Sequence, residues 1–199
     1  MKKTVLTLLF LLQILLLFPQ KKEQHYNYKN AKSSIIELDN SWGKEIFSFP
    51  IPFAKNIIYK GIAEVRFPPE GWRNPDHQNF WSYVYVWNID LNREITKDEL
   101  EINLQLYFDG LNNIENNKDL KKHKAVAKLH KDKTTYKGVI TTYDRFATNT
   151  GLKLNVIIEN TYCKTDQKNI LLFKFSPKKY NHKTWIMLKN IDLIEGLCN

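Results

Sequence analysis

The sequence predicts an α+β domain, in which an antiparallel β-sheet of about seven strands carries a central and a C-terminal helix. Three β-type segments precede a strongly marked helix, and four more β-type segments and a second helical segment follow it. Short polar turns join the last four β-type segments, which favours antiparallel pairing because parallel neighbours need long crossover connections. Strands that are grouped apart from helices in this way are typical of α+β domains.

The first three strands are predicted over residues 45–49, 61–67 and 80–89. Pro68 and Pro69 end the second of these strands, because proline cannot donate a hydrogen bond within a sheet. The third strand has the sequence FWSYVYVWNI and is the strongest of the three, since aromatic and β-branched residues favour strands.

The central helix is predicted over residues 97–111. Thr96 and Glu99 form a capping box, in which each side chain accepts a hydrogen bond from the backbone N–H of the other residue. Apolar side chains then recur on one face of the helix, at Leu100, Leu104, Tyr107, Phe108 and Leu111.

The second half of the chain changes to a two-residue period, which predicts four further strands. They are expected over residues 122–129, 134–146, 152–162 and 169–175, after a solvated connection over residues 112–121. The last segment, residues 184–197, favours a terminal helix because its apolar side chains lie three positions apart, at Trp185, Leu188, Ile191 and Ile194.

The N-terminal residues predict export. Lys2 and Lys3 precede an apolar run over residues 4–18, which is shorter than the about 18 to 20 residues that span a bilayer and typical of a signal peptide. We therefore expect a signal peptide over residues 1–20, a flexible linker over 21–34 and a single domain over 35–199. The expected location is the periplasm or the extracellular space, with no membrane span after cleavage. Because no small-residue cleavage pattern follows the run, retention as an N-terminal anchor is the alternative.

Export changes how the cysteines are interpreted. Cys163 and Cys198 are the only two in the chain. An even number of cysteines in an oxidising compartment predicts a disulfide bond between them. Two unpaired thiols are the alternative.

The composition excludes a disordered or collagen-like chain, since 43% of the residues are hydrophobic and only seven are glycine. The net charge is +9, and a nucleic-acid partner is not expected because the lysine-rich residues 112–138 contain no arginine and one aromatic residue. Lys122, Lys124 and Lys128 are predicted on one strand face. One interpretation is that these lysines bind an anionic surface. The interpretation we favour is that they protect the edge of the sheet from pairing with another chain.

Catalytic motifs are missing from the sequence. It contains no P-loop, dinucleotide-binding, nucleophile-elbow or zinc-protease motif, and its histidines lack metal-ligand spacing. We therefore expect no cofactor and no metal, and we assign no catalytic residue. A hydrolase is the alternative, with a site assembled in space from the loop over residues 70–78, which carries Glu70, Arg73, Asp76 and His77.

An aromatic stripe is the first candidate binding feature. Trp81, Tyr83, Tyr85 and Trp87 alternate along the third predicted strand and are expected on one face of it. Such a stripe lines a groove for a sugar-like or apolar ligand or contacts a protein partner. Alternatively, the central helix covers the stripe and its side chains form part of the core.

Glu64 and Arg66 are the second candidate feature, because they share one face of the second strand. If these side chains are buried, they must be paired, which is costly and often marks a site or a fixed register. We group them with the aromatic stripe as candidate ligand-binding residues.

Several segments together resemble a family of uncharacterised secreted bacterial proteins. The motifs are FSFP at residues 47–50, GIAEVRFP at 61–68, FWSY with VW at 80–87, YFDGL at 107–111 and the late cysteine pair. The resemblance implies export and a compact domain, and it transfers no catalytic residue. The expected architecture is also similar to that of PsbP-like domains, which is an analogy of fold alone.

These observations favour a monomeric, exported and non-enzymatic domain of the cell envelope. It is expected to bind a small apolar or sugar-like ligand or an envelope partner. A secreted or periplasmic hydrolase is the alternative.

Overall fold

The computed structural model describes residues 34–198, which belong to one compact unit. The predicted signal peptide (residues 1–20) and all but the last residue of the predicted linker (21–34) lie outside the described residues. Within residues 34–198, no helix is both long and apolar enough to cross a membrane.

Within residues 34–198, the chain forms seven strands and two α-helices. The strands are β1 (Gly43–Ser48), β2 (Gly61–Phe67), β3 (Tyr83–Asp90), β4 (Val126–Asp132), β5 (Thr135–Asp144), β6 (Thr150–Cys163) and β7 (Lys168–Ser176). The helices are α1 (Lys97–Leu111), which follows β3, and α2 (Lys183–Lys189), which follows β7. Two short 3₁₀ helices, Ile114–Asn116 and Lys118–His123, occupy the connection after α1.

All seven strands belong to one antiparallel sheet with the order β1-β2-β3-β7-β6-β5-β4. The α+β class and the seven-stranded antiparallel sheet are confirmed. The two groups of strands meet at β3 and β7, where Tyr83 pairs with Phe175 and Asp90 pairs with Lys168. This long-range pairing places both central strands in the interior of the sheet.

The local predictions are confirmed for α1 and corrected for β3, α2 and β4, the last of which spans Val126–Asp132 and not residues 122–129. The Thr96–Glu99 capping box is present and α1 has the predicted limits. Strand β3 begins at Tyr83 and not at residue 80, because Trp81 has a left-handed backbone with φ of 49°. Helix α2 ends at Lys189 and not at residue 197, since the chain beyond it pairs with the N-terminal segment through a bridge of Leu193 to Ile36.

The sheet separates two hydrophobic layers. Helix α1 packs over β4 and β5 on one face, where the larger core lies. Residues 34–38 and α2 cover the other face. Cys163 and Cys198 form the predicted disulfide bond on the side of this second layer, with a Cα–Cα distance of 5.2 Å.

Strand β4 is an edge strand, as the lysine pattern suggested, but it carries fewer of the lysines than expected. Lys122 and Lys124 precede β4, and only Lys128 of the predicted three lies on it. Two carboxylates of α1 also protect this edge. Glu101 accepts a hydrogen bond from Leu129 N at 2.6 Å, and Asp109 accepts one from Ala125 N at 2.7 Å.

Candidate functional site

The aromatic stripe lies in the core, in agreement with the interpretation that the central helix covers it. Trp81 and Tyr83 are each 2% exposed, and Tyr85 and Trp87 are fully buried. Helix α1 supplies part of the cover, since the Tyr107 ring lies 5.0 Å from that of Tyr85. The stripe as a whole is therefore not an open groove.

Glu64 and Arg66 lie on the opposite face of the sheet from the stripe. Glu64 is paired in register with Val86, whereas its neighbour Val65 is paired with Tyr85. Because side chains alternate along a strand, the sheet separates the two candidate groups. The six predicted site residues do not form one site.

Glu64 and Arg66 instead hold the N-terminal segment of the described chain. Arg66 Nη1 lies 3.1 Å from Glu64 Oε1, and both side chains are buried. The Glu64 carboxylate also accepts hydrogen bonds from Ser34 Oγ at 2.6 Å and Ile35 N at 2.8 Å. Arg66 Nη2 donates to Asp39 O at 3.0 Å.

One end of the stripe borders a small cavity between the β1–β2 side of the sheet, the end of α1 and three loops. This aromatic cavity has a volume of about 130 Å³. Its lining is mostly aromatic and comprises Glu45, Phe47, Phe53, Val65, Phe67, Trp72, Arg73, Trp81, Tyr83, Tyr107, Leu111 and Phe146.

Local structure explains why these residues meet. Glu45 and Phe47 lie two positions apart on β1 and therefore share the face that α1 covers further along the sheet. Tyr107 and Leu111 lie one turn apart at the end of α1. The left-handed backbone of Trp81 turns the preceding loop back onto the sheet, so that Trp81 N donates to Trp72 O at 2.9 Å.

The walls of the aromatic cavity are rings in contact with one another. Phe67 stacks on Trp72 at a centroid distance of 4.3 Å, and Trp72 meets Trp81 edge to face at 6.5 Å. Phe146 lies 5.9 Å from Trp81. Such contacts fix the positions of the rings, so the cavity is largely formed before any ligand binds.

Glu45 is the acidic group of the aromatic cavity. Within residues 34–198, its half-buried carboxylate makes neither a hydrogen bond nor an ion pair. Burial raises the pKa of Glu45, and the positive charge of Arg73 offsets part of this effect. The protein therefore keeps a poorly solvated carboxylate among aromatic rings.

Tyr83 brings a second polar group to the aromatic cavity. Its hydroxyl is buried and makes no well-aligned hydrogen bond among the described residues, although the Tyr107 hydroxyl is close enough to affect its pKa. Burial raises the pKa of Tyr83 well above 10, and the neighbouring Tyr107 adds to this increase. The hydroxyl is therefore a neutral donor at physiological pH.

A larger depression of about 670 Å³ lies beside the turn that carries Phe53. Its acidic groups already have partners, since Glu115 pairs with Lys124 at 3.1 Å and Asp109 accepts from Ala125 N. The smaller aromatic cavity is the better candidate site, because its carboxylate, Glu45, lacks such partners within residues 34–198.

The loop over residues 70–78, from which the alternative hydrolase site was predicted, contributes Trp72 and Arg73 to the aromatic cavity. Arg73 lies over the Trp72 ring at 4.4 Å, whereas Glu70 and Asp76 are exposed. His77 Nδ1 accepts a hydrogen bond from Asn79 N at 3.1 Å, so it holds the loop. No group of three or more His, Cys, Asp or Glu side chains in the described part of the chain is arranged to hold a metal ion.

The sequence indicated only part of this site. Trp81 and Tyr83 were predicted as binding residues and Arg73 as part of the loop, but Glu45, Trp72 and the other lining residues were not. The available signal was the pair Glu45 and Phe47, which places a carboxylate on an otherwise apolar strand face.

Comparisons with known proteins give no relative. No family model matches the chain, and neither a curated protein nor a solved structure is similar to it. The resemblance to secreted bacterial proteins and the PsbP-like analogy therefore stay predictions, and the site rests on its own geometry.

Proposed function

We propose that the protein is an exported, non-enzymatic domain that binds a small ligand with an apolar or aromatic body in the aromatic cavity. The observation that carries this proposal is a mostly aromatic cavity of about 130 Å³ whose lining includes Glu45, a carboxylate with neither a hydrogen bond nor an ion pair within residues 34–198. A comparable apolar cavity of about 150 Å³ is large enough to bind benzene.

Within this proposal, Trp81 and Tyr83 contact the ligand, and Tyr85 and Trp87 support them from the core. The disulfide between Cys163 and Cys198 supports export, since such bonds persist in oxidising compartments. Recovery of the protein in the cytoplasmic fraction with both cysteines reduced would contradict that part of the proposal.

Filling the cavity tests the proposed function. Leu111→Trp adds volume at the half-buried end of α1, so we expect it to abolish the binding of benzyl alcohol by the complete chain. The measurement is isothermal titration calorimetry, with circular dichroism to show that the fold is retained. Ile102→Trp is the matched control, because Ile102 lies on the same helix, is 55% exposed and does not line the cavity.

Two results would contradict the proposal. One is a failure of the wild-type chain to bind any small apolar probe. The other is turnover of ester, glycoside or peptide substrates that is lost with Arg73→Ala or His77→Ala, which would favour the hydrolase.

A further inference from the structure

The charge of the ligand can be inferred from the side chains of the aromatic cavity. The Glu45 carboxylate is half-buried and has neither a hydrogen bond nor an ion pair within residues 34–198. Burying an unpaired charge is costly, and a ligand that enters the cavity removes still more water from this carboxylate. Arg73 offsets part of this cost, and a ligand that carries a positive charge would compensate the remainder.

Three classes of ligand respond differently to this arrangement. A neutral ligand removes water from the Glu45 carboxylate and can at most donate a hydrogen bond in return, and an anionic ligand adds repulsion between like charges. A cationic ligand is attracted by the carboxylate and also by the negative faces of the aromatic rings. The carboxylate and the rings therefore both favour a cation, whereas Arg73, the cationic residue of the lining, opposes one until its exposed side chain turns away.

Arg73 shows that these rings accept a cation. Its guanidinium carbon lies 4.4 Å from the centroid of Trp72 and 5.9 Å from that of Phe146. The side chain is exposed, so it can change rotamer at little cost when a ligand binds.

We propose that the aromatic cavity binds a small alkylated ammonium group, with Glu45 as its counter-ion and the rings of Trp72, Trp81 and Tyr83 around it. This inference rests on the proposed function. An alkylated ammonium head is no larger than a benzene ring, and the volume of about 130 Å³ is close to the about 150 Å³ that holds benzene.

The net charge of +9 acts against this selectivity at long range. Salt screens exposed charges beyond about 8 Å at physiological ionic strength, whereas the contact with a half-buried carboxylate is screened much less. The preference for a cation therefore comes from groups that line the cavity.

Calorimetric titration of the complete chain with choline tests the inference. The comparison ligand is the neutral isostere of choline, in which a carbon atom replaces the nitrogen, so the two probes differ in charge and hardly in shape. We expect choline to bind at least about tenfold more tightly than the isostere. Benzoate, which is anionic, should bind more weakly than either.

Glu45→Gln separates the role of the carboxylate from that of the rings. This variant should fold normally, since it removes a charge that burial disfavours. Its affinity for choline should fall about tenfold while its affinity for the isostere is unchanged. Glu37→Gln is the control, because Glu37 is exposed and does not line the cavity, and it should bind both probes like the wild type.

The possible failures can be told apart. Equal affinities for choline and the isostere, or tighter binding of benzoate, would overturn the inference and leave the proposed cavity function standing. Retention of the choline preference in Glu45→Gln would overturn the role of the carboxylate. If choline, the isostere and benzyl alcohol all fail to bind, the proposed function and this inference are both wrong.

Discussion

Single residues on the two faces of the sheet carry charge for different reasons. Glu64 on the second face is surrounded by hydrogen-bond donors, namely Arg66, Ser34 and Ile35. Glu45 on the first face has none of these within the described residues. The Glu64 carboxylate therefore fixes structure, whereas the Glu45 carboxylate is the one that the proposed ligand would contact.

Arg66→Met should destabilise the protein strongly. It leaves the Glu64 carboxylate buried without its ionic partner, for which we expect a loss of about 3 to 5 kcal/mol in the free energy of unfolding. Urea denaturation measures this loss.

Glu115→Gln is the matched control for Arg66→Met. It removes an ion pair with Lys124 whose two side chains are 70% and 59% exposed. Solvent and salt screen such surface pairs, so little change in stability is expected. A stability of Arg66→Met that equals that of the control would show that the buried pair does not fix the N-terminal segment.

At the scale of elements, α1 is defined by its ends and by the contacts of its polar side chains. The capping box begins the helix, and Arg93 adds a bidentate ion pair to Glu99, with Nη2 of Arg93 2.6 Å from Oε1 of Glu99. Further along, Glu101 and Asp109 bind backbone N–H groups of the chain at edge strand β4. The helix therefore covers the core and also limits the exposure of this edge.

The capping carboxylate should make the stability of the protein depend on acidic pH. The hydrogen bond from Arg93, together with those from Thr96, lowers the pKa of Glu99 from 4.5 to about 2. Because the folded-state pKa is depressed, the ionised carboxylate stabilises the fold above pH 4.5, and this contribution disappears as the pH falls towards about 2.

Glu99→Gln should therefore be less stable than the wild type at neutral pH, and the difference should shrink as the pH falls below about 4.5. Urea denaturation across this range measures the two curves. Glu94→Gln serves as the control, since Glu94 is exposed and takes no part in the cap. A difference between wild type and Glu99→Gln that is independent of pH would contradict the assignment.

At the scale of the whole molecule, the second layer depends on segments that are distant in sequence. Residues 34–38, α2 and the C-terminal residues pack on the same face, and the disulfide joins the end of β6 to Cys198. The bond closes a loop between residues 35 positions apart. Its contribution to stability is therefore expected to be large.

Cys198→Ser should lower the free energy of unfolding by up to about 4 kcal/mol, because the unfolded chain regains the entropy of the closed loop. Thermal unfolding with and without a reductant measures the effect. The wild type should become less stable on reduction, whereas Cys198→Ser should not respond. Equal stability of the oxidised wild type and the variant would show that the bond adds nothing to the folded layer.

The sequence alone was sufficient for features that depend on neighbouring residues. The two-residue period identified the strands, the capping box located the start of α1, and the even number of cysteines predicted the disulfide. Local signals failed where a distant contact decides the conformation. Trp81 leaves the strand to close a loop, and the chain after Lys189 leaves the helix to pair with the N-terminal segment.

Only the tertiary structure decided the candidate site. The alternation along β2 and β3 shows which side chains of one strand share a face. It does not show which face of β2 lies on the same side of the sheet as a given face of β3, because that depends on the register between the strands. The register places Glu64 and Arg66 on the opposite face of the sheet and aligns Glu45 on β1 with Val65 on β2 and Tyr85 on β3. The period of a sequence indicates which face of its own strand a side chain occupies. It cannot predict a cavity, because a cavity forms between elements that are distant in sequence.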